Sequence, residues 1–262
     1  MKNPTALVTG ASRGLGKEIA LLLVKHGYRV YAGVRNVDHA PQGTLPIWVD
    51  LTNEESLTLC VNKLIEETGE INVLINNAAI AYYGGVDTMT IKEARELFEI
   101  NFFGTFFLTQ LFLPHMRKGK TGKIFFISSI RGTESCAYMG MYSASKAALE
   151  AIAFDWAVTL SQWNIAVSVV QPGPLNTNIN IKHGSYFTSD QNPYTPYKEY
   201  QLTLQSPEDA AKVIVEKILE PLPPFKFQTN DLSKQTIKKH LKDPSGMSWY
   251  LEQRLPATPR VC

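Results

Sequence analysis

Ala6-Leu7-Val8-Thr9-Gly10-Ala11-Ser12-Arg13-Gly14-Leu15-Gly16 is an apolar run that stops in a glycine-rich turn, and the residues beyond it change period. Ile19, Ala20, Leu22 and Leu23 recur at helical spacing over 17–25, so the segment reads as strand, turn, helix. Glycines at such a junction let the backbone turn tightly and approach a ligand. The free N–H groups and the dipole of the helix start attract negative charge. Gly10, Ser12, Arg13, Gly14, Leu15 and Gly16 are therefore the candidate pyrophosphate cradle. Gly-rich strand-to-helix turns also occur without ligands. The TGxxxGxG spacing in this strand-helix context is what favours a dinucleotide.

Working outward, a strand over 29–33 follows the helix-ending Gly27, and another over 45–49 follows the Pro41/Gly43 loop. A helix over 54–67, a strand over 73–75, a long helix over 91–116, a strand over 123–127, a helix over 142–161 and a strand over 166–170 continue the alternation. Strands and helices taking turns with short connections predict an α/β protein, a parallel sheet covered on both faces. Right-handed crossovers make it a doubly wound Rossmann arrangement, expected as one domain over 1–262. From 172 to 205 the pattern lapses into Gly, Pro, Asn, Ser and Tyr, and about 175–205 is the candidate substrate loop. Ser206 with Pro207 then reads as a helix start, 225–229 as a last strand and about 230–262 as a C-terminal extension.

The bulk numbers exclude several classes. A chain of 262 residues with a formal net charge of +2 has too mild a balance to imply a nucleic-acid partner. Cys60, Cys136 and Cys262 have neither CxxC spacing nor even pairing, so no metal and no disulfide is expected, and a cytoplasmic location fits. No apolar run is read as reaching the eighteen or so residues a spanning helix needs, and the chain starts directly in a strand, so a soluble protein is expected. His26, His39, His115, His183 and His240 are scattered without ligand spacing and read as surface residues.

Cofactor choice is decided at the end of the second strand, where an acidic side chain would accept from a ribose 2′-hydroxyl. Val34 and Arg35 stand there instead. Arg35 and Arg13 would grip a 2′-phosphate from two sides, which favours NADP(H) over NAD(H), unless both are ordinary solvated arginines. Asp50-Leu51 and the Asn76-Asn77-Ala78-Ala79 segment end the next two strands. Each of Asp50, Leu51, Asn77, Ala78 and Ala79 reads either as a strand-end cap or as a cofactor contact.

Tyr142 and Lys146 stand four apart at the start of a helix and share one face. A free tyrosine titrates near ~10, and an adjacent cation favours its ionised form. YxxxK alone is common on amphipathic helices. Here Ser129 ends the preceding strand and Asn101 lies in the helix before it. Taken together, TGxxxGxG, an NNAG-like segment, the helix asparagine, the serine, YxxxK and a Pro-Gly turn resemble the short-chain dehydrogenase/reductase family, over about residues 5–230. Ala79 departs from the family's usual glycine, which matters only if that backbone needs a positive φ.

The resemblance implies that Tyr142 is the general acid in reduction and the base in oxidation, and that Ser129 holds the substrate oxygen. It implies that Lys146 lowers the tyrosine pKa and binds the nicotinamide ribose, with Tyr142 also at the cofactor, and that Asn101 holds a water. Ser128, Ser143 and Ser145 read as structural. Pro172, Gly173 and Thr177 match the family's PGxxxT turn, which contacts the nicotinamide and phosphates, or else mark a simple strand exit.

The C-terminal segments 223–229 and 241–246 are similar to the group containing 17β-hydroxysteroid dehydrogenase type 1 and photoreceptor all-trans-retinol dehydrogenase. That implies a bulky apolar alcohol or carbonyl partner, with steroid, retinoid and other carbonyl compounds all open. Tyr186, Phe187, Tyr194 and Tyr197 are candidates for an apolar pocket or for packing of the loop. Apolar excess on the helices over 91–116 and 142–161, including Phe102, Phe103, Phe106 and Phe107, implies a homodimer or tetramer by the same resemblance; otherwise all four rings face the sheet. The basic run over 234–242 reads as a solvated helix face in preference to a membrane contact. Two alternatives share the fold, a protein that binds or senses NADP(H) without turnover, and a sugar-nucleotide epimerase-like relative, whose GxxGxxG and longer C-terminal domain are absent.

Overall fold

The computed structural model describes residues 3–177, 180–183 (backbone only), 204–243, 245–248 and 251. Tyr186, Phe187, Tyr194 and Tyr197 lie outside these residues. Seven strands, β1 (Thr5–Thr9), β2 (Arg29–Val34), β3 (Leu45–Trp48), β4 (Val73–Asn76), β6 (Gly122–Ile127), β7 (Ile165–Gln171) and β9 (Lys226–Gln228), form one sheet in the order β3-β2-β1-β4-β6-β7-β9. Every pairing is parallel. The order reverses between β1 and β4, the place where an open α/β sheet leaves a crevice at its carboxyl edge.

Strand periodicity sorts the core into two layers. Leu7, Ile124, Phe126, Val167 and Val169 pack under α2 (Glu54–Thr68), α4 (Thr105–Gly119) and α5 (Gly140–Thr159). Their sequence neighbours Ala6, Val8, Phe125, Ile127 and Val170 point the other way, against α1 (Gly14–Lys25) and α6 (Pro207–Leu219). Helices on both faces confirm the doubly wound arrangement. Helix α6 starts at Pro207, capped by the Ser206 hydroxyl accepting from Asp209 N–H, three residues before its apolar run begins. The basic run belongs to α7 (Asp231–Lys242), whose start is a capping box of Asn230 and Ser233.

Two expectations need correction. The helix over 91–116 is not uniform: α3 (Ile91–Phe98) and α4 are joined by a π-helical stretch, Glu99–Gly104. The wider turn brings Asn101 to the inside, where a regular ladder would have set the register by spacing alone. The continuous helical rod Ile91–Gly119 has the length and apolarity of a membrane span, with a mean hydropathy of 1.3 in its best window. In this fold Leu97, Leu108, Phe112, Leu113 and Met116 of that rod are buried against the sheet and the site.

The second correction concerns the irregular stretch over 172–205. Part of it, β8 (Asn180–His183), pairs in parallel with β5 (Ile80–Tyr83) as a separate two-stranded ribbon. Neither strand is long or alternating enough to show a period, and their pairing shows only in the folded chain.

Of the histidines, His26 and His39 are exposed as expected, whereas His115 and His240 are half-buried. No cluster of ligating side chains able to hold a metal occurs among the described residues.

Lys123 shows how the sheet edge and a helix end are joined. Its half-buried ammonium donates to the carbonyl oxygens of Ile218 (2.7 Å) and Glu220 (2.5 Å) at the end of α6. Helix C-termini leave such carbonyls without partners, and a cation suits the dipole there. Desolvation lowers the Lys123 pKa from its ordinary value, so its charge is retained against a burial cost. Lys123→Met keeps the stem and removes the donors. It should cost about 1–2 kcal/mol of stability, read as a melting temperature about 4 °C lower with the far-ultraviolet circular dichroism unchanged.

Candidate active site

The glycine turn lies at the carboxyl end of β1, against the end of β4. Gly10 has φ +66°, and a side chain there would begin 2.9 Å from the Ala78 Cα. A side chain on Gly16 would begin 2.5 Å from the Gly10 carbonyl oxygen and closer still to the Asn77 amide. Neither position accepts a Cβ, so the cradle is as tight as the spacing implied. Helix α1 begins at Gly14 with no side-chain cap on its first turn and no acidic residue there. Its leading N–H groups and dipole are left for an anion.

A clamp keeps this turn in place. The Thr9 hydroxyl accepts from the backbone N–H groups of Asn77 and Ala78, both at 3.0 Å, and the Asn77 amide donates back to the Thr9 carbonyl at 2.9 Å. Asn77 and Ala78 thus brace the cradle, whichever ligand it takes. Ala79 is absent from the positive-φ residues, so alanine stands there without strain. Thr177 stands over the cradle, its Cβ 3.4 Å from where a Gly14 side chain would begin. Ile130 N–H donates to the Pro172 carbonyl at 3.0 Å, so the Pro172-Gly173 turn borders the loop after β6.

Ser12, Arg13 and Arg35 are exposed, and neither arginine has an acidic partner among the described residues. Asp50 turns one carboxylate oxygen to Thr52, accepting from its N–H (3.0 Å) and hydroxyl (2.8 Å). Leu15 and Leu51 have their side chains in the core, 7 % and 6 % exposed, which leaves only their backbones to face a ligand.

Helix α5 carries Tyr142 and Lys146 on its buried face, 7 % and 3 % exposed. Ser129 follows β6 as the cap of a short 3-10 turn, its hydroxyl accepting from the Arg131 N–H at 3.2 Å, and it stands near enough to the Tyr142 phenol to act on its pKa. Burial pushes the phenol up to about 12; the neighbouring Ser129 hydroxyl and the Arg131 guanidinium act in the opposite direction. The lysine does not bring the phenol down here. Lys146 is itself lowered to about 8 by burial, against the pull of Glu150. Its ammonium donates to the Ile127 carbonyl at 2.8 Å and lies 5.8 Å from the centre of the tyrosine ring.

Asn101 is 1 % exposed. Its amide pairs with the peptide groups of Ile80, both contacts at 2.9 Å, and donates to the Ser145 hydroxyl at 3.1 Å. Ser145 in turn donates to the Tyr142 carbonyl at 2.7 Å. The asparagine side chain is therefore a strut between β5, the π-helical stretch and the turn of α5 that holds the tyrosine. A water held by Asn101 would have to use its main chain.

All four catalytic candidates thus converge on one corner, beside the cradle. Sequence reasoning passed over Thr9, Arg131 and Glu150. Thr9 was legible as part of the glycine signature; the other two became visible only when the β6 loop and β9 were placed against α5.

The cradle fits a dinucleotide on the two observations above, an uncapped helix start and glycine positions closed to any Cβ. Comparison with known proteins agrees. The family profile described as short chain dehydrogenase matches residues 4–185. Retinol dehydrogenase 8 of Bos taurus is 30% identical over 92% of this chain and 86% of its own length. A 3-ketodihydrosphingosine reductase of Bacteroides thetaiotaomicron is 38% identical over 68% of this chain and 66% of its own. Among solved structures, a short-chain dehydrogenase from Streptomyces avermitilis superposes with a TM-score of 0.83 at 28% identity, covering 95% of each chain. One from Burkholderia cenocepacia, in complex with NADP, superposes with a TM-score of 0.78 at 23% identity over 97% of this chain and 99% of the other. With Ser129, Tyr142 and Lys146 gathered beside the glycine cradle, the chain belongs to the short-chain dehydrogenase family, oxidoreductases of CH–OH groups that use NAD(P).

Proposed function

We propose that this protein is an NADP(H)-dependent carbonyl reductase or alcohol dehydrogenase for a bulky apolar substrate. The single observation that carries the chemistry is the buried Tyr142 phenol, with the Ser129 hydroxyl near enough to lower its pKa and Lys146 one helical turn away on the same face. When bound, the nicotinamide ring supplies the hydride to a carbonyl carbon or takes it from an alcohol. Ser129 donates a hydrogen bond to the substrate oxygen, and Tyr142 delivers the proton that oxygen needs in reduction. A phenol raised to about 12 is protonated throughout the neutral range, which suits it to act as the acid. Acting as base in oxidation requires extra positive charge nearby, from Lys146 and an oxidised nicotinamide together. Lys146 holds the nicotinamide ribose in this reading.

Arg13 and Arg35 support NADP(H), since two exposed guanidinium groups, neither with a carboxylate partner among the described residues, stand at the N-cap of α1 and just past the end of β2, where a 2′-phosphate would be met. The NADP complex of the Burkholderia structure accords with this. The substrate class rests on the surroundings of Tyr142: Ile80, Ala81, Tyr82 and Leu97 form its apolar cluster, with Met89, Ile100, Met139 and Met141 packed against it. Methionines adapt to large, irregular apolar shapes. The names of two relatives, a retinol dehydrogenase and a ketodihydrosphingosine reductase, point to lipophilic substrates as well. A sensor that binds NADP(H) without turnover is the second reading, and turnover itself separates the two.

The outer surface of α4 and α5 supports a homo-oligomer. Phe102 stacks on Phe106 and Phe106 on Trp156, and Phe103, edge-on to Phe102, is 52 % exposed. On α5, Phe154, edge-on to Phe225, and Val158 are 59 % and 58 % exposed. The four phenylalanines therefore do not all face the sheet, and exposed apolar side chains on both segments suit contact with a second copy of this chain.

Four outcomes follow. In an NADPH-consumption screen, steroid, retinoid and aromatic ketones or aldehydes should be turned over in preference to small polar carbonyls. Tyr142→Phe should lose about 10²–10⁴ of kcat while still binding NADPH, and full activity in that variant would refute the role of the phenol. Arg13→Glu with Arg35→Glu should raise KM for NADPH by about a hundredfold or more relative to its effect on KM for NADH, and equal effects would overturn the NADP(H) assignment. Light scattering at micromolar concentration should give the mass of a dimer or tetramer; a monomer would count against the aromatic interface.

A further inference from the structure

Glu150 follows Lys146 by one helical turn on α5 and is 8 % exposed. Its carboxylate accepts from the Ser128 hydroxyl at 2.6 Å, from Gln171 Nε2 at 2.9 and 3.1 Å, and from the Lys226 ammonium at 2.7 Å. Gln171 also donates to Thr133 at 2.7 Å and accepts from Gln228 at 2.8 Å. These partners are not scattered. Ser128 immediately precedes Ser129 at the end of β6, Gln171 immediately precedes Pro172-Gly173 at the end of β7, and Lys226 and Gln228 belong to β9.

We propose that Glu150 is a positioning residue of the active site: its carboxylate pins the face of α5 carrying Tyr142 and Lys146 to the strand ends carrying Ser129 and the Pro172-Gly173 turn. With Lys226 opposite, it also sets the electrostatic field at the Lys146 ammonium. The proposal rests on the reading of Ser129, Tyr142 and Lys146 given above. A buried carboxylate with donors from three strands is held far more firmly than a surface pair, and removing it would leave those donors unpaired. The charged and titratable groups facing this corner are Tyr142 and Lys146 on α5, Arg131 and Glu134 on the loop after β6, and Lys226 on β9. Arg131 and Glu134 are bonded to each other at 2.8 Å.

The sign is fixed by the chemistry. Glu150 favours the charged form of Lys146 and raises its pKa, whereas burial lowers it, to about 8 in balance. Glu150→Gln keeps the shape and removes the charge, so the ammonium should lose its proton at lower pH. Lys226→Met removes the opposing cation, leaves the carboxylate field uncompensated and should move Lys146 the other way.

The direct readout is the Lys146 side-chain signal in protein with carbon-13-labelled lysine, identified by its loss in Lys146→Arg and followed against pH by NMR. Glu150→Gln should lower the Lys146 midpoint by about one pH unit and Lys226→Met should raise it. For any carbonyl compound turned over, the alkaline limb of kcat for reduction should shift in the same two directions, with the dissociation constant for NADPH changed less than kcat. If both variants leave the Lys146 midpoint in place, or both move it the same way, Glu150 is a structural residue only and the proposal fails. An active Tyr142→Phe variant would instead defeat the catalytic reading, and the NMR titration would still decide the role of Glu150.

Discussion

Burying a tyrosine and a lysine side by side on one face of α5 is the constraint around which this molecule is organised. Neither polar head is left to water, and each burial has a cost that only local partners offset. Ser129 meets the phenol and the Ile127 carbonyl meets the ammonium. Glu150 adds a carboxylate one turn further along, itself satisfied from β6, β7 and β9. The corner that gathers the candidate catalytic residues is therefore the meeting point of a helix face and three strand ends, and it cannot be assembled from any one of them.

The consequence for chemistry is a site whose protonation states are set by burial first and by charge second. Burial raises the phenol and lowers the ammonium, so both shifts favour the neutral forms. Arg131, Ser129 and Glu150 each push back toward the charged forms. On the other side of the cleft, the Thr9 hydroxyl and the Asn77 amide lash the glycine turn to the end of β4, the strand that lies between β1 and β6, so that the candidate phosphate cradle and Ser129 stand at strand ends one place apart in one sheet.

Much of this was legible in the chain. Gly10, Gly14 and Gly16 signalled the cradle because glycine spacing reports backbone geometry directly, and the structure leaves no room for a Cβ at Gly10 or Gly16. The alternation of strand and helix periods was likewise a local property, and it led to the doubly wound sheet. The ribbon of β5 and β8 escaped because two four-residue strands have no period to read, and their pairing joins segments about a hundred residues apart. The role of Asn101 was only half visible. Its position in the site was implied by the family pattern, while its function as a strut to Ile80 and Ser145 required the π-helical stretch.

What the sequence by itself determined is what short-range physics encodes: helix and strand periods, the glycine turn, the helix start at Ser206, and the one-turn spacing of Tyr142 and Lys146. What only the tertiary structure decided is how those pieces meet. Tyrosine and lysine four apart share a helix face in any protein, but whether a serine stands at the phenol and a carboxylate behind the lysine depends on strand order. The ladder β4-β6-β7-β9 brings Ser128, Gln171 and Lys226 to Glu150, although they come from positions spread over about a hundred residues. Charge, burial and pKa follow from that meeting, because they depend on distances through space, which no local pattern in the chain records.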